Sequence, residues 1–135
     1  MPILYRNELP TSNQFWDLFA TTGWNEKFKA TSDELAAANA RSWYTLSAYD
    51  GDLLVGFGRV LSDGVMHAMI YDVIVLPEYQ GHGIGGRIME LLIRQCLRAN
   101  IRDIQLFCAR GKRGFYERYG FVARPDDAPG MQYQR

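Results

Sequence analysis

The sequence predicts a mixed α/β (α+β) fold in a single domain over residues 1–135, with a mixed central sheet, an antiparallel N-terminal meander and flanking helices. Three observations predict it. From Trp43 to Leu76 the apolar pattern takes the period of strands and is interrupted twice by Asp-Gly turns. After Pro77 a glycine-rich loop opens a stretch whose apolar residues recur at helical spacing. A chain of 135 residues builds one hydrophobic core of ordinary size.

The elements follow in order. Ile3 to Glu8 reads as a short strand ended by Pro10. Thr11 to Asn13 are helix-capping residues, and Phe15, Leu18 and Phe19 then repeat at helical spacing. Thr31-Ser32-Asp33-Glu34 starts a second helix through the strongly helix-forming "ELAAANA". Three strands come next, Trp43 to Tyr49, Leu53 to Leu61 and Met66 to Leu76, joined by turns at Asp50-Gly51 and Asp63-Gly64. A helix runs from about Gly85 to Ala99, burying Ile88, Leu92, Cys96 and Ala99, with Glu90 and Arg94 paired at i,i+4 on the wet face. Ile104 to Ala109 is a strand and Gly111 to Gly120 a short helix with a glycine stop. "FVARP" and "MQYQR" read as two final strands. The expected order is β-α-α-β-β-β-α-β-α-β-β.

Fifteen basic residues balance fifteen acidic ones, so no net charge favours non-specific binding to nucleic acid or a membrane surface. The N-terminal "MPILYRNELP" lacks a signal-peptide pattern, and no apolar run approaches the roughly 20 residues of a membrane span. A cytoplasmic location is expected. Cys96 and Cys108 have no metal-ligand or CxxC spacing and read as two reduced core thiols.

Gly81-His82-Gly83-Ile84-Gly85-Gly86 satisfies G-x-G-x-x-G, and three ligands compete for it. A Walker phosphate loop needs a Lys-Ser or Lys-Thr pair after the glycines, and none follows. A dinucleotide fingerprint needs the first glycine close to the strand end and an acidic residue ending the next strand. Here Pro77 to Gln80 intervene, Asp103 precedes the next strand, and the upstream strands are hairpin-linked. The third reading begins at Gln80, where Gln80 to Gly85 has the form [Q/R]-x-x-G-x-[G/A] after a long strand and before a helix. Unpaired amides of a glycine-rich turn and a helix start form a cradle for phosphate. Far downstream, "GFYERYGF" from Gly114 to Phe121 forms a second motif, one helix and one strand away.

These two motifs and the element order resemble the GNAT superfamily of N-acetyltransferases, specifically in the motifs and loosely in the N-terminal third. The resemblance implies a GNAT fold, acetyl-CoA as co-substrate and no metal. It implies that the backbone of Val73, Ile74 and Val75 pairs with the pantetheine arm, while their side chains pack. It assigns the pyrophosphate to Gln80, Gly81, His82, Gly83, Ile84, Gly85, Gly86 and Arg87. Tyr116 matches the tyrosine that protonates the CoA thiolate, a task suited to a phenol still protonated at neutral pH. Tyr119, where the family often carries an apolar residue, reads as packing. Asp72 is the first candidate for the base that relieves the amine of its proton; a structural hydrogen bond to the neighbouring backbone is its other reading. His67 is a second titratable group on that strand. Arg110, Lys112 and Arg113 are either CoA phosphate contacts or a solvated helix start. The family often places an asparagine near Phe107-Cys108-Ala109, and this sequence has none there.

The implied function is an acyltransferase (an N-acetyltransferase) moving acetyl to a primary amine of a small molecule or peptide by direct attack in a ternary complex. Two alternatives stand beside it: a non-catalytic acyl-CoA-binding module and a toxin-type enzyme acting on aminoacyl-tRNA. The N-terminal helices, around Trp24 to Phe28, and the chain ends are expected to select the acceptor, while Trp24 and Phe28 read equally as core residues. No membrane or nucleic-acid partner is expected, and a homodimer is compatible with the family.

Overall fold

A computed structural model describes residues 2–135. Strand β1 (Leu4–Arg6) is followed by α1 (Ser12–Ala20), α2 (Asn25–Phe28) and α3 (Ser32–Ala40). Strands β2 (Tyr44–Asp50), β3 (Leu53–Ser62) and β4 (His67–Val75) form the meander. A 3-10 turn (Pro77–Tyr79) leads to α4 (Ile84–Arg98), β5 (Asp103–Leu106) and α5 (Arg113–Glu117). The five strands make one sheet in the order β1-β2-β3-β4-β5. The first four are antiparallel neighbours, and β5 joins β4 in parallel.

Local chemistry explains the boundaries. Thr11 and Gln14 close a reciprocal capping box on α1, with bonds of 3.1 and 2.9 Å. Thr31 and Glu34 repeat it on α3. Asn25 holds the α2 turn by bonding both backbone groups of Ala30. Asp63 accepts from the amides of Val65, Met66 and His67 and so shapes the β3–β4 connection. Asn100 ends α4 in a left-handed conformation, φ 57°, while Ile101 bonds back to the Cys96 carbonyl.

The sheet separates two cores. On one face Leu46, Val55, Val60 and Ile70 meet Ile84, Ile88, Met89 and Leu92 of α4. On the other, Phe57 and Ile74 meet Phe15, Leu18 and Phe19 of α1. Phe15 and Phe57 stand edge to face, 4.9 Å between centroids. Among the described residues no helix is long and apolar enough to cross a membrane.

Four expectations need correction. The two final strands do not form. "FVARP" instead enters a turn, with Ala128 N–H donating to Pro125 O and Arg124 Nε donating to Ala128 O. Met131 and Tyr133 of "MQYQR" are about 85% exposed, so pairing that segment as a strand would gain no buried side chain here. The helical segment before the meander has three helices rather than two, because Asn25 stabilises a short turn. Glu90 pairs with Arg87, three residues back at 3.3 Å. Cys96 is buried as expected, but Cys108 is exposed; both are free thiols.

Candidate active site

Strands β4 and β5 run side by side only from the pair His67–Asp103 to the pair Ile70–Leu106. Past that point they diverge. The physical reason lies on the opposite edge of β4. Phe57 pairs with Ile74 and Arg59 with Tyr71, which leaves Gly58 facing both Asp72 and Val73. This is a β-bulge, and Asp72 absorbs it with a left-handed backbone, φ 55°. A bulge bends its strand and steepens its twist, which turns Val73, Ile74 and Val75 away from β5. The Leu76 amide donates to Val55 O, so the alternation of an antiparallel ladder points the backbone groups of Val75 away from β3, into the fork. The Val75 carbonyl is met there by the Gln80 side chain, Nε2 at 2.9 Å.

A cavity of about 560 Å³ opens at the fork. Helix α2 and the residue before it contribute Phe28 and Trp24 to its lining, β4 contributes Tyr71, Asp72 and Val73, and the segment after β5 contributes Phe107, Arg110 and Tyr116. Tyr116 and Asp72, the two residues assigned chemistry from the sequence, therefore share one cavity. Burial pushes the Tyr116 phenol above its usual pKa. The nearby Cys108 adds to that effect, and the Ala109 backbone opposes it. The proton stays on the phenol at neutral pH, ready for donation.

Asp72 is already engaged. Its Oδ2 accepts from Arg59 Nε at 2.8 Å, with the two side chains only 21% and 16% exposed. Its Oδ1 has no hydrogen bond among the described residues. The structural bond foreseen for Asp72 thus exists, but to a side chain rather than to neighbouring backbone. Sequence reasoning missed Arg59. The signal was there: a lone cation inside the apolar strand "LLVGFGRVL", whose meander partner is Tyr71, next to Asp72.

The glycine loop stands at the same end of β4. Gly81 and Gly83 have φ of 83° and 85°, and a Cβ on either would meet nothing within 4 Å. Glycine serves there for backbone conformation. Gly83 is the N-cap of α4 and no side chain caps the helix, so its first amides are left for solvent or a ligand. That open cradle fits a pyrophosphate. Within it the residues differ. Gln80 spends its side chain on Val75. The Ile84 side chain is buried in the core, leaving only its amide to offer. His82 is exposed, and Arg87, 42% exposed at its side chain, pairs with Glu90.

Gly85 and Gly86 join the two sequence motifs. Phe115 lies 3.7 Å from the place of a Cβ on Gly85, and the Tyr119 hydroxyl occupies the place of one on Gly86. Phe115 in turn packs against Tyr116 and Tyr119, with centroids 5.2 and 5.3 Å away. The expected packing role of Tyr119 is what the structure shows. His67 lies elsewhere, over a second hollow with Asp103 and Gln105, its Nδ1 2.9 Å from Asp103 Oδ2. Of Arg110, Lys112 and Arg113, Arg110 alone lines the main cavity, while Arg113 pairs with Glu117 at 3.3 Å.

Fork, open helix start and half-buried phenol thus lie together at one end of the sheet. A sequence model described as the acetyltransferase (GNAT) family matches residues 10–121, and the chain belongs to that family. It is similar to an uncharacterised N-acetyltransferase of Porphyra purpurea, 42% identical over 78 residues, 58% of this chain and 45% of that relative. The chain therefore spans less than half the length of that curated relative. A GNAT-family acetyltransferase of Streptococcus pneumoniae TIGR4 has the same fold, with TM-score 0.83, 28% identity and coverage of 99% of this chain and 98% of that one. The PaiA N-acetyltransferase of Thermoplasma acidophilum, solved in complex with coenzyme A, superposes with TM-score 0.74 at 16% identity, covering 92% of each chain. The mixed sheet with flanking helices expected from the sequence is thus the fold these proteins share.

Proposed function

We propose that the chain is an acetyl-CoA-dependent N-acetyltransferase acting on a primary amine by direct attack within a ternary complex. One observation carries this reading: the open start of α4, the divergent end of β4 and the Tyr116 phenol converge on one fork. The coenzyme A complex of the Thermoplasma acidophilum protein supports the choice of co-substrate.

In this reading the amides at Gly83, Ile84, Gly85 and Gly86 hold the pyrophosphate, with Gly81, His82, Gln80 and Arg87 at its border. The backbone from Val73 to Val75 receives the pantetheine arm as an added strand. The thioester supplies an activated acetyl carbonyl. A new N–C bond forms as the C–S bond breaks; the amine nitrogen gives up one proton and the departing sulfur takes one. Tyr116 donates the second of these. Asp72, through Oδ1, accepts the first. The acceptor approaches from α2, where Trp24 and Phe28 are 40% and 67% exposed on the cavity wall and offer rings to an apolar body.

The test is a CoA-release assay across polyamines, aryl amines, amino acids, aminoglycosides and lysine peptides, run beside calorimetry with CoA. Thiol release on at least one amine is expected, lowered about a hundredfold in Y116F. CoA binding with no release across the panel would leave an acyl-CoA-binding module instead. Steeply salt-dependent tRNA binding would favour the aminoacyl-tRNA reading, which the balanced charge of the chain does not support.

A further inference from the structure

The bulge that opens the fork is held by a residue outside the cavity lining. Asp72 is one of three residues other than glycine with positive φ among those described, at 55°. A left-handed backbone is costly for a residue with a Cβ and persists only when its surroundings enforce it. The enforcing group is Arg59. Its Nε donates to Asp72 Oδ2 at 2.8 Å. Its Nη1 reaches the C-terminal turn of α3, 3.4 Å from Ala38 O, and the stretch just beyond, 3.3 Å from Ser42 Oγ. Its guanidinium carbon lies 6.0 Å from the centroid of Tyr71, its own cross-strand partner. One guanidinium thus ties β3, the helical segment and the bulge together. The last β4–β5 pair, Ile70 with Leu106, lies two residues before that bulge.

We propose that Arg59 is a positioning residue for the acyl-CoA cleft: its ion pair sets the Asp72 bulge, and the bulge sets the divergence of β4 from β5. The inference rests on reading the fork as the CoA cleft. Arg59 acts through the Asp72 backbone and touches no reacting atom. It follows that the need for Arg59 disappears when residue 72 adopts the left-handed conformation unaided, as glycine does.

The test compares R59M, D72G and the double variant R59M/D72G with the parent chain. CoA affinity is measured by calorimetry, and amide exchange from Tyr71 to Val75 is measured without ligand. R59M is expected to weaken CoA binding about tenfold, the size that loss of an enforced backbone conformation implies. It also speeds exchange over Tyr71 to Val75. The double variant recovers both, to within about threefold of the parent. Parental affinity and exchange in R59M, or no recovery in the double variant, would overturn the proposal. If R59M fails to fold because it strands a carboxylate, D72G and the double variant decide: equal CoA affinity supports the proposal, and a tenfold deficit in the double variant overturns it. A parent chain that binds no CoA refutes the acetyltransferase reading, while the exchange measurements still decide whether Arg59 sets the bulge.

Discussion

The Tyr119 hydroxyl stands where a Cβ on Gly86 would have to be. The contact locks the segment after β5 onto the first turn of α4, so the helix start and Tyr116 are held in one rigid corner. G86A must displace that ring and is expected to destabilise the fold by about 1–3 kcal/mol, read by urea denaturation. In a Y119A background the same substitution costs much less, because the obstructing hydroxyl is gone. Additive losses in that double-mutant cycle would refute the coupling.

Gly83 tests the cradle separately from the core. A methyl group added there meets no atom, but the backbone at φ 85° resists it. G83A is expected to cost about 1–2 kcal/mol of stability and to weaken CoA binding about tenfold as the turn shifts. Calorimetry with CoA reads the second effect, and an unchanged affinity would mean that the open amides of α4 do not contact the ligand.

Tyr116 carries a pH signature. Its pKa is raised by burial, so the phenol keeps its proton beyond the range where a free tyrosine, at about 10, loses it. Activity on a reactive amine should therefore persist to that pH and fall as pH rises through the folded value. Y116F is expected to lower kcat about a hundredfold, to leave CoA affinity unchanged and to abolish the alkaline limb. Full turnover in Y116F would assign the acid elsewhere.

Two carboxylates make stability depend on acid. Three backbone amides hold Asp63 below the usual carboxylate range, and hydrogen bonds from His67 and then Gln105 do the same for Asp103. A depressed folded pKa contributes stability that is present above the unfolded value of about 3.9 and is lost as pH falls through the folded one. The melting temperature of the parent should drop below pH about 4. D63N and D103N should melt lower near neutrality and show a flatter acid limb. A parallel limb in both variants would place the acid sensitivity in other groups.

Much of this was legible because it is local. Thr11 and Thr31 announce their helices through side chains that bond three residues ahead, and the Asp63 turn closes within four. The glycine loop and "GFYERYGF" were legible as motifs, and the structure explains why they go together: Phe115 and Tyr119 pack on Gly85 and Gly86. What escaped depends on distant partners. "FVARP" and "MQYQR" have strand-like residues, yet a strand exists only when a neighbour takes its hydrogen bonds. The Arg59–Asp72 pair spans a cross-strand register, which a one-residue bulge shifts. Exposure of Cys108 follows from where β5 stops, at Leu106, a boundary that apolar composition does not mark.

The short β4–β5 ladder also has a mechanical meaning. Four residue pairs fasten everything after Ile101 to the sheet, against seven between β2 and β3. Strands β2 to β4 form a stiff plate, and the C-terminal arm hangs from it by a brief zip, with the Tyr119–Gly86 contact as its second latch. A molecule seated in the fork would touch both parts and work as a rivet. The arm that carries Tyr116 is thus held to the sheet by fewer pairs than the strands of the plate are to one another, and occupancy of the fork is what would clamp it.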